Sequence, residues 1–324
     1  MKAAIVTENG VRVQDVPEPR PGPQQVLIRV RAAGLNRADL GVAAGHAHGS
    51  LGGSGTIIGL EFAGEVVEAG AEVPAHIQPG MRVMAKGSGG YAEYALADHG
   101  TVCAVPASNM SWEQAATLPV ALSTMHDAIV TNGALKPGQS ILIQGASSGV
   151  GLMGMQIAKM MGASLVIGSS TYPGRRARLA EFGADLAIDT GDAGWPDQVL
   201  TATGGRGVDV IVDQISASVA NGNLKCCAIL GRIVNVGRLG GTRGEFNFDL
   251  HAARRIQYIG VTFRTRSVEE VREINRRMIA DLWPAVEAGK LALPIDKVFP
   301  LAEAPAALAH MQANQHFGKI VLAC

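Results

Sequence analysis

Short apolar runs, separated by glycine and proline, fill the first 120 residues of the chain. Clear examples are Val26–Val30, Gly64–Val67 and Met81–Met84. Short runs bounded by turn-forming residues are typical of strands. The N-terminal segment Met1–Glu8 also has the pattern of a strand, because a charge and a glycine interrupt it before it reaches the length of a signal peptide. We therefore expect an irregular β-barrel in residues 1–120.

The pattern changes near Pro119, where longer units begin. A helical stretch to Asn132 is followed by Ser140–Gln144, a mainly apolar run typical of a buried strand. Helices and strands then alternate, and we predict helices at 150–161 and 175–182 and strands at 165–168, 208–212 and 233–236. Such alternation favours a parallel sheet covered by helices on both faces. Residues 121–266 are therefore expected to form a second, α/β domain.

The last segment of the chain combines two helices with two short strands. An amphipathic helix is predicted from Val268 to Ala288, and a short strand at Val298–Leu301 follows it. A second helix ending at Asn314 and a strand at Lys319–Leu322 complete the segment. We expect residues 267–324 to return to the first domain.

Charge and composition narrow the classes of partner. The 324 residues include 28 Lys and Arg against 28 Asp and Glu, so no net field draws the chain onto nucleic acid or an acidic membrane. No run of about 18 apolar residues predicts a membrane helix. Four irregularly spaced cysteines do not make a disulfide framework, which favours a reducing compartment. We expect a cytoplasmic protein with a small-molecule substrate and with neither nucleic acid nor a membrane as a partner.

A glycine-rich turn joins the strand at Ser140–Gln144 to the following helix. From Gly145 to Gly151 the sequence is Gly-Ala-Ser-Ser-Gly-Val-Gly. Gly149 and Gly151 are expected to form the tight turn, since residues without a Cβ let main-chain amides approach a pyrophosphate. The helix beginning near Val150 would offer unpaired N–H groups and the positive end of its dipole to that anion. Such turns also occur in sheets that bind nothing, so a dinucleotide site and a purely structural turn both remain open.

The end of the next predicted strand bears on the choice of coenzyme. Sites that prefer NAD place an Asp or Glu there to bind the ribose 2′-hydroxyl, but this strand ends in Ser169 and Ser170. Arg175 and Arg176 follow, and guanidinium and hydroxyl groups suit a 2′-phosphate. NADPH is therefore favoured over NADH. The alternative is that both arginines are solvated at the start of a helix, although cations there oppose the helix dipole unless an anion binds.

Four motifs occur in an order that spans essentially the whole chain. They are Gly34–Asp39 (GLNRAD), Ile58–Gly64 (IGLEFAG), the Gly145–Gly151 turn and Gly318–Leu322 (GKIVL). With them the chain resembles the medium-chain dehydrogenase/reductase superfamily, and within it the zinc-free quinone oxidoreductase branch. The resemblance implies a Rossmann doubly wound parallel sheet, a GroES-like irregular β-barrel as the catalytic domain, and a homodimer. It also implies hydride transfer from NADPH to a quinone or a similar conjugated carbonyl.

The resemblance further implies which residues contact the coenzyme. Asn36 and Ser123 would lie near the nicotinamide, and residues 148–150 would hold the pyrophosphate. The full implied set is Asn36, Ser123, Ser148, Gly149, Val150, Ser169, Ser170, Arg175, Gln214, Val236, Gly237, Arg238, Thr262, Phe263, Arg264 and Asn314. For each isolated polar residue a structural hydrogen bond is the alternative, and for Asn36 that alternative is a loop cap. Asp39 is interpreted as mainly structural, in an N-cap or a salt bridge.

The residues at the family's metal positions are not zinc ligands. Zinc-dependent members have a Cys and a His in the two early motifs, whereas this chain has Asn36 and Leu60 there. Leucine has no donor atom for a metal. The group of four structural cysteines is also missing, since Cys103 is the only cysteine before the second domain. We expect no metal, because the histidines of this region lack paired ligand spacing; they are His46, His48, His76 and His99.

The sequence does not name a catalytic residue. Many relatives have a tyrosine after the Asn-containing loop, in a Gly-x-Tyr-Pro stretch, but this chain has Gly45–Gly49 (GHAHG) there. The missing phenol matters less for a quinone, whose reduced form takes protons from solvent, than for an enoyl reductase. His46 or His48 is a candidate replacement, because imidazole titrates near neutral pH. The alternative is that both histidines are solvated in a glycine-rich loop.

Two other functions remain open at this point. The first is NADPH-dependent reduction of the double bond of an enone, an alkenal or an enoyl thioester. The second is a non-enzyme that keeps NADPH as a structural ligand and senses redox state or binds RNA, although the balanced charge argues against RNA. For the homodimer that the resemblance implies, the strand around Tyr258–Phe263 is a candidate for edge pairing between subunits.

Overall fold

The computed structural model describes residues 1–47, 49, 52–106 and 110–324. The chain forms two compact units, one of Met1–Val120 with Phe263–Cys324 and one of Ala121–Thr262. The strands are β1 (Lys2–Thr7), β2 (Gly10–Asp15), β3 (Gln25–Gly34), β4 (Glu61–Ala69), β5 (Arg82–Lys86), β6 (Tyr94–Asp98), β7 (Val102–Ala104), β8 (Ser140–Gln144), β9 (Leu165–Ser169), β10 (Leu186–Ile188), β11 (Val208–Asp213), β12 (Cys227–Asn235), β13 (Gln257–Gly260), β14 (Ile295–Pro300) and β15 (Lys319–Ala323). The helices are α1 (Arg37–Ala43), α2 (Trp112–Ala115), α3 (Pro119–His126), α4 (Gly149–Met160), α5 (Pro173–Arg176), α6 (Trp195–Ala202), α7 (Ala220–Cys226), α8 (Phe248–Arg254), α9 (Val268–Glu287) and α10 (Ala304–Gln312). Within the described ranges, we find no helix with both the length and the apolar character to cross a membrane.

The first unit is built on a seven-stranded, mostly antiparallel sheet. Its order is β14-β15-β3-β4-β5-β7, and β6 also pairs with β3. The two halves of β3 have different neighbours on one side, because residues 25–29 pair with β6 and residues 32–34 pair with β15. Two register shifts against β4 bend this long strand. The start of β15 is thereby brought beside the end of β3, next to Asn36.

The inward faces of these strands form the core of the first unit. Ile28, Phe62, Val83 and Ile320 are buried there, and α10 packs against them through Leu308. β1 and β2 make a separate antiparallel hairpin. The β-rich architecture predicted from the short apolar runs is confirmed. Such runs predict strands correctly here because alternate side chains of a strand point to the same face, where they can be buried in one core.

The second unit is a six-stranded, wholly parallel sheet. Its order is β10-β9-β8-β11-β12-β13, which is the order of a dinucleotide-binding doubly wound sheet. All five residues of β8 are buried, as expected for a strand covered on both faces. The predicted Rossmann sheet is confirmed. Its strand order reverses between β8 and β11, and ligands of such sheets bind at the carboxyl ends of the strands on either side of that point.

Residues 175–182 do not form the continuous helix that the sequence predicts. α5 ends at Arg176, and a separate 3₁₀ turn covers Leu179–Phe182. Leu179 is the one buried side chain of that stretch. A single apolar anchor is too little for a full amphipathic helix, whose stability depends on a buried stripe of side chains. The edge strand expected around Tyr258–Phe263 is β13, which ends earlier, at Gly260.

Candidate functional site

The turn after β8 has the geometry of a phosphate-binding loop. Ser148 caps α4 by accepting a hydrogen bond from the Gly151 N–H at 3.0 Å. A Cβ on Gly151 would lie 2.6 Å from the Gly145 carbonyl oxygen, so this close approach requires glycine. The N–H groups of Gly149 and Val150 meet no acceptor in the described part of the chain. They are the unpaired donors at the start of a twelve-residue helix, where an anion binds well.

The glycines of this loop have roles that differ from the prediction. The sequence assigns the tight turn to Gly149 and Gly151, but the residue with the left-handed backbone is Gly145, at a φ of 71°. Gly149 is already the first residue of α4. The prediction for Gly149 is wrong because the chain must turn where the strand ends, before the first helical residue.

Beneath the loop, four buried side chains join the ends of three strands. Ser169 Oγ donates to Gln144 Oε1 at 2.7 Å, and Gln144 Nε2 donates to Asn223 Oδ1 at 2.8 Å. Asn223 Nδ2 donates to Asp213 Oδ2 at 3.0 Å, and the other oxygen of Asp213 accepts two backbone N–H groups. Burial raises the pKa of Asp213, and these donors oppose that rise. A network with its polar atoms satisfied is rigid, so the ends of β9, β8 and β11 keep a fixed spacing under the loop.

Several of the implied coenzyme residues meet at this edge of the sheet. Ser148 Oγ lies 3.2 Å from Gln214 Oε1, and Ser170 Oγ donates to Ser147 Oγ at 3.0 Å. A Cβ on Gly237 would lie 2.6 Å from the Gln214 carbonyl oxygen, so the ends of β11 and β12 also touch. The residues brought together at the carboxyl ends of the strands are Ser148, Gly149, Val150, Ser169, Ser170, Gln214, Val236 and Gly237.

The two arginines that follow β9 have different surroundings. Arg176 Nη1 donates to the Ser170 carbonyl oxygen at 2.9 Å and to Asp189 Oδ2 at 2.8 Å, so this residue holds the loop together. Arg175 is half-buried and lies over the ring of Tyr172, with its guanidinium carbon 4.3 Å from the ring centroid. Of the pair, Arg175 is therefore the one whose position suits a ligand at the end of β9.

In the first unit, a buried ion pair lies beside Asn36. Lys319 Nζ, at the start of β15, lies 2.5 Å from Glu61 Oε1, at the start of β4. The same ammonium donates to Asn36 Oδ1 at 3.0 Å and to the Leu35 carbonyl oxygen at 2.6 Å. Asn36 Nδ2 in turn donates to Glu61 Oε1 at 2.9 Å. Buried charges are tolerated where hydrogen bonds satisfy both partners, and here those bonds also fix the Asn36 amide.

Glu61 and Lys319 are functional candidates to which sequence reasoning gave no role. Both stand inside quoted motifs, and each is a charged residue at the edge of an otherwise apolar strand (IGLEFAG and GKIVL). A charge in such a place is costly unless it is paired. Two opposite charges of this kind in one domain are therefore a signal for a buried ion pair.

Asp39 and Tyr91 form a second buried polar pair next to Asn36. The Tyr91 hydroxyl and the Asn36 backbone N–H both donate to Asp39 Oδ2, each at 2.7 Å. Neither the Asp39 nor the Tyr91 side chain is exposed, and Asp39 Oδ1 has no hydrogen-bond partner within the described ranges. Burial raises the pKa of Asp39 to about 7, although the two hydrogen bonds lower it. These contacts belong to a residue that shapes the start of α1.

The other implied coenzyme residues are spread over both units. In the second unit, Ser123 is buried on α3, and Arg238 Nη1 donates to the Val236 carbonyl oxygen at 3.2 Å. In the first, Asn314 Oδ1 accepts from Arg37 Nη2 at 2.8 Å. Thr262 is half-buried, Arg264 is exposed, and the ring of Phe263 has Lys86 Nζ 3.5 Å from its centroid. Of the two candidate proton donors, His46 is exposed after α1 and His48 lies outside the described residues.

Two family models match the chain, one for each kind of sheet. The alcohol dehydrogenase GroES-like domain matches residues 22–107, and the zinc-binding dehydrogenase model matches residues 149–280. Together the two ranges cover more than half of the chain.

Curated relatives include parts of polyketide synthases. The highly reducing polyketide synthase easB of Emericella nidulans is 28% identical over 314 residues, which are 95% of this chain and 12% of the synthase. The polyketide synthase GfsB of Streptomyces halstedii is 31% identical over 301 residues, which are 92% of this chain and 5% of the synthase. The chain therefore spans only a small part of the length of these relatives.

Solved structures match the chain over its whole length. A quinone oxidoreductase of Pseudomonas syringae pv. Tomato DC3000 is 26% identical with a TM-score of 0.87, covering 100% of this chain and 99% of that one. The mycobacterial Rv1454c complexed with NADPH is 26% identical with a TM-score of 0.89, covering 100% of both chains. The CurK enoyl reductase is 26% identical with a TM-score of 0.86, covering 99% of this chain and 98% of that one.

The architecture, the phosphate loop and these matches agree. A doubly wound sheet with an anion-binding turn is the arrangement that binds a nicotinamide coenzyme, and the other unit matches the GroES-like domain of dehydrogenases. The chain belongs to the medium-chain dehydrogenase/reductase superfamily.

Proposed function

We propose that the protein uses NADPH to reduce a quinone or a similar conjugated carbonyl, without zinc. The observation that carries the choice of coenzyme is the end of β9, where Ser169 and Ser170 stand in place of a carboxylate. A carboxylate there would bind a ribose 2′-hydroxyl and repel a 2′-phosphate. Arg175, beside this strand end, supplies a charge of the sign that a phosphate requires. The NADPH complex of the mycobacterial Rv1454c supports the same choice.

The surroundings of Asn36 support a reaction without a metal. The ammonium of Lys319 already bonds Glu61 and the Oδ1 of Asn36, and Asn36 is one of the two residues at the family's ligand positions. A divalent cation brought to the same atoms would be repelled by that fixed charge. Leu60 adds no donor atom.

The residues of the chain would bind and orient the coenzyme, which supplies hydride when bound. The N–H groups of Gly149 and Val150 would hold the pyrophosphate, and Ser148 keeps that loop in place through its bond to Gly151. Since a quinol takes its protons from solvent, the reduction of a quinone needs no proton donor within the protein. This fits a chain in which the tyrosine of many relatives is missing.

A second candidate function is the reduction of the double bond of an enone, an alkenal or an enoyl thioester. It is favoured by the similarity to polyketide synthases and to the CurK enoyl reductase. The acceptor would then carry a thioester or carbonyl conjugated to the double bond, and a proton would have to be delivered to carbon rather than to oxygen. A non-enzymatic role, in which bound NADPH is only a structural ligand, is the third possible outcome of the test.

The test is an NADPH oxidation screen with naphthoquinones, enones and enoyl thioesters at equal concentrations, with and without a chelator. We expect the fastest NADPH consumption with a naphthoquinone and no loss of rate with the chelator. A Gly151→Val variant, whose side chain would block the phosphate loop, is the control without coenzyme binding. Faster turnover of the thioester would establish the second function, and NADPH binding without any turnover would contradict both. Loss of rate with the chelator would contradict the zinc-free proposal.

We also infer that two copies of the chain pair along β13. Among the residues that the structure describes, this strand is the outermost of its sheet and its one strand neighbour is β12. Beside it, Phe248 is 75% exposed and packs on Phe246 with 5.0 Å between the ring centroids. An unpaired edge next to exposed aromatic rings is suited to strand pairing in a symmetric dimer.

All four cysteines are free thiols, which fits our proposal that the protein works in the reducing cytoplasm.

A further inference from the structure

A polar cavity lies at the carboxyl ends of β11, β12 and β13, in the second unit. Its volume is about 240 Å³. The loop after β12, the turn before α7 and Tyr258 of β13 line it, and it opens to solvent on the side of the exposed residues 242–245. Two arginines, Arg238 and Arg243, line it together with Asn235 and Thr242. None of residues 145–151, which form the phosphate loop, lines this cavity, although Arg238 also belongs to the coenzyme set that the resemblance implies.

The wall of the cavity is held in a fixed and strained conformation. Ser216, which follows β11, has a φ of 69° and a ψ of −122°, a combination of backbone angles that residues other than glycine rarely adopt. Its N–H donates to Asp213 Oδ1 at 2.9 Å, and its Oγ donates to the Gly237 carbonyl oxygen at 2.6 Å. Two other lining residues also pack closely, since a Cβ on Gly244 would lie 2.9 Å from Ala217 Cβ. Strain of this kind persists at sites where the surroundings specify it, and such sites cluster around ligands.

Within the described residues, no ion pair joins an acidic side chain to either arginine of the lining, although burial raises the pKa of the nearby Asp213 and the charge of Arg238 opposes that rise. Arg243 forms no hydrogen bond or ion pair with any residue that the structure describes. Glu245 is the one acidic residue of the lining, and no ion pair joins it to Arg238 or Arg243 within the described ranges. The nearby carboxylate of Asp213 is occupied by two backbone N–H groups and by Asn223. A guanidinium group that faces a cavity without a partner is a donor for an anion from outside.

We propose that this cavity binds the anionic group of a small organic molecule, a carboxylate or a phosphate ester, through Arg238 and Arg243. Guanidinium groups match both anions with paired hydrogen bonds. The hydroxyl groups of Thr242 and Tyr258 add donors, and Phe246 provides an apolar wall for the rest of the ligand. The volume lies below the range of about 300 to 1,000 Å³ for drug-sized ligands, so the ligand is small.

The test measures binding of inorganic phosphate and of benzoate to the full-length protein by calorimetry, with NADPH present in excess. Saturating NADPH occupies the phosphate loop, so any heat of anion binding comes from another site. We expect both probes to bind the wild type, and the tighter of the two identifies the kind of anion. Arg243→Gln should weaken binding at least tenfold, whereas Arg206→Gln, which changes an exposed arginine outside the cavity, should leave it unchanged.

Three results would overturn the proposal. They are no binding of either probe at millimolar concentration, equal binding by the Arg243→Gln variant, and binding that is abolished by NADPH. Thermal unfolding and sedimentation of both variants show whether a loss of binding comes from a loss of folding or assembly. If Arg243→Gln is unstable, Thr242→Val provides the second variant, and it must also weaken binding for the proposal to stand.

Discussion

The ammonium nitrogen of Lys319 lies 2.5 Å from Glu61 Oε1, in side chains that are 4% and 0% exposed. The two residues are 258 positions apart, at the starts of β15 and β4. The second oxygen of Glu61 accepts the Val120 N–H at 2.8 Å, so one buried carboxylate joins three distant stretches of the first unit. Removing one partner would leave the other charge buried without compensation.

We therefore predict that Lys319→Met lowers the free energy of unfolding by about 3 to 5 kcal/mol. Adding Glu61→Gln to that variant should recover part of the loss, because the second change removes the uncompensated charge and keeps an oxygen for Val120. Chemical denaturation of the wild type, the two single variants and the double variant measures the coupling. Lys2→Met, which breaks an exposed ion pair with Asp15, is the control and should change stability little. Equal losses for Lys319→Met and Lys2→Met would contradict the role of burial.

Asp39 is predicted to make the protein less stable as the pH rises from about 4 to about 7. Burial raises its pKa in the folded state from 3.8 to about 7, so above pH 4 the unfolded chain loses this proton more readily than the folded one. The stability contributed by protonated Asp39 is complete below pH 4 and is lost as the pH passes 7. The free energy of unfolding that is lost in this way amounts to about 4 kcal/mol at most.

The measurement compares the wild type with Asp39→Asn, an isosteric variant that has no proton to lose, in denaturation at pH 4 and pH 7.5. Relative to this variant, the wild type should be more stable at the lower pH. Asp98→Asn provides a control of opposite sign. Although burial raises the pKa of Asp98, hydrogen bonds from Arg272 and Gly100 lower it overall, so its contribution is lost as the pH falls. A pH-independent difference for Asp39→Asn would contradict the raised pKa.

The sequence predicted those parts of the fold that rest on repeated apolar contacts. The strand Ser140–Gln144 appears at the predicted residues, since a short, mainly apolar run bounded by turns is typical of a covered strand. The helix over 175–182 was wrong because one buried leucine, Leu179, satisfies the apolar pattern without a helical stripe. β10, at Leu186–Ile188, was not predicted, since three residues are too few to show a period.

In the candidate site too, residues marked by local sequence signals were predicted, whereas a contact between distant strands was missed. Ser148 and Ser169 follow from local signals, a helix cap and a strand end, and the structure places them at the same edge of one sheet. The pairing of Glu61 with Lys319 depends on how β3 bends between β15 and β4, so that the starts of those two strands meet, which is long-range information. Charge pairs between distant strands are therefore missed when a sequence is interpreted motif by motif, even when each motif is recognised.

The phosphate loop yields a prediction about coenzyme affinity. A Cβ on residue 151 would meet the backbone of Gly145 and Ala146 at 2.6 to 2.7 Å, so Gly151→Ala must shift the loop and misplace the N–H groups of residues 149 and 150. We expect the dissociation constant for NADPH, measured by fluorescence titration, to rise at least tenfold. Gly41→Ala places a Cβ in open space on α1 and serves as the matched control. Unchanged affinity in the folded Gly151→Ala variant would show that the coenzyme does not use this loop.

Pairing along β13 predicts a dimer in solution that a single charge can disrupt. Phe248→Glu places a carboxylate on a 75% exposed position next to that edge, where it would have to be buried between subunits. We expect the wild type to sediment as a dimer and the variant as a folded monomer at micromolar concentration. Met160→Glu introduces the same charge at a 37% exposed methionine at the end of α4, a helix that packs on β8 and β9, and should leave the dimer intact. A wild type that sediments as a monomer would contradict the inference.

The end of β9 predicts how the choice of coenzyme can be reversed. Ser170→Asp introduces the carboxylate that a ribose 2′-hydroxyl binds and a 2′-phosphate avoids, at a buried position beside Ser147. We expect kcat/KM for NADPH to fall at least tenfold while that for NADH is kept or rises. Arg175→Gln should lower the NADPH value alone, and Arg178→Gln, which changes an exposed arginine paired with Glu181, is the matched control. If turnover is intact and the ratio of the two coenzymes is the same in Ser170→Asp, Arg175→Gln and the wild type, the 2′-phosphate does not bind at the end of this strand. Loss of activity with both coenzymes would instead show that Ser170 supports the loop through Ser147, and Ser170→Ala would separate this structural contribution from the effect of charge.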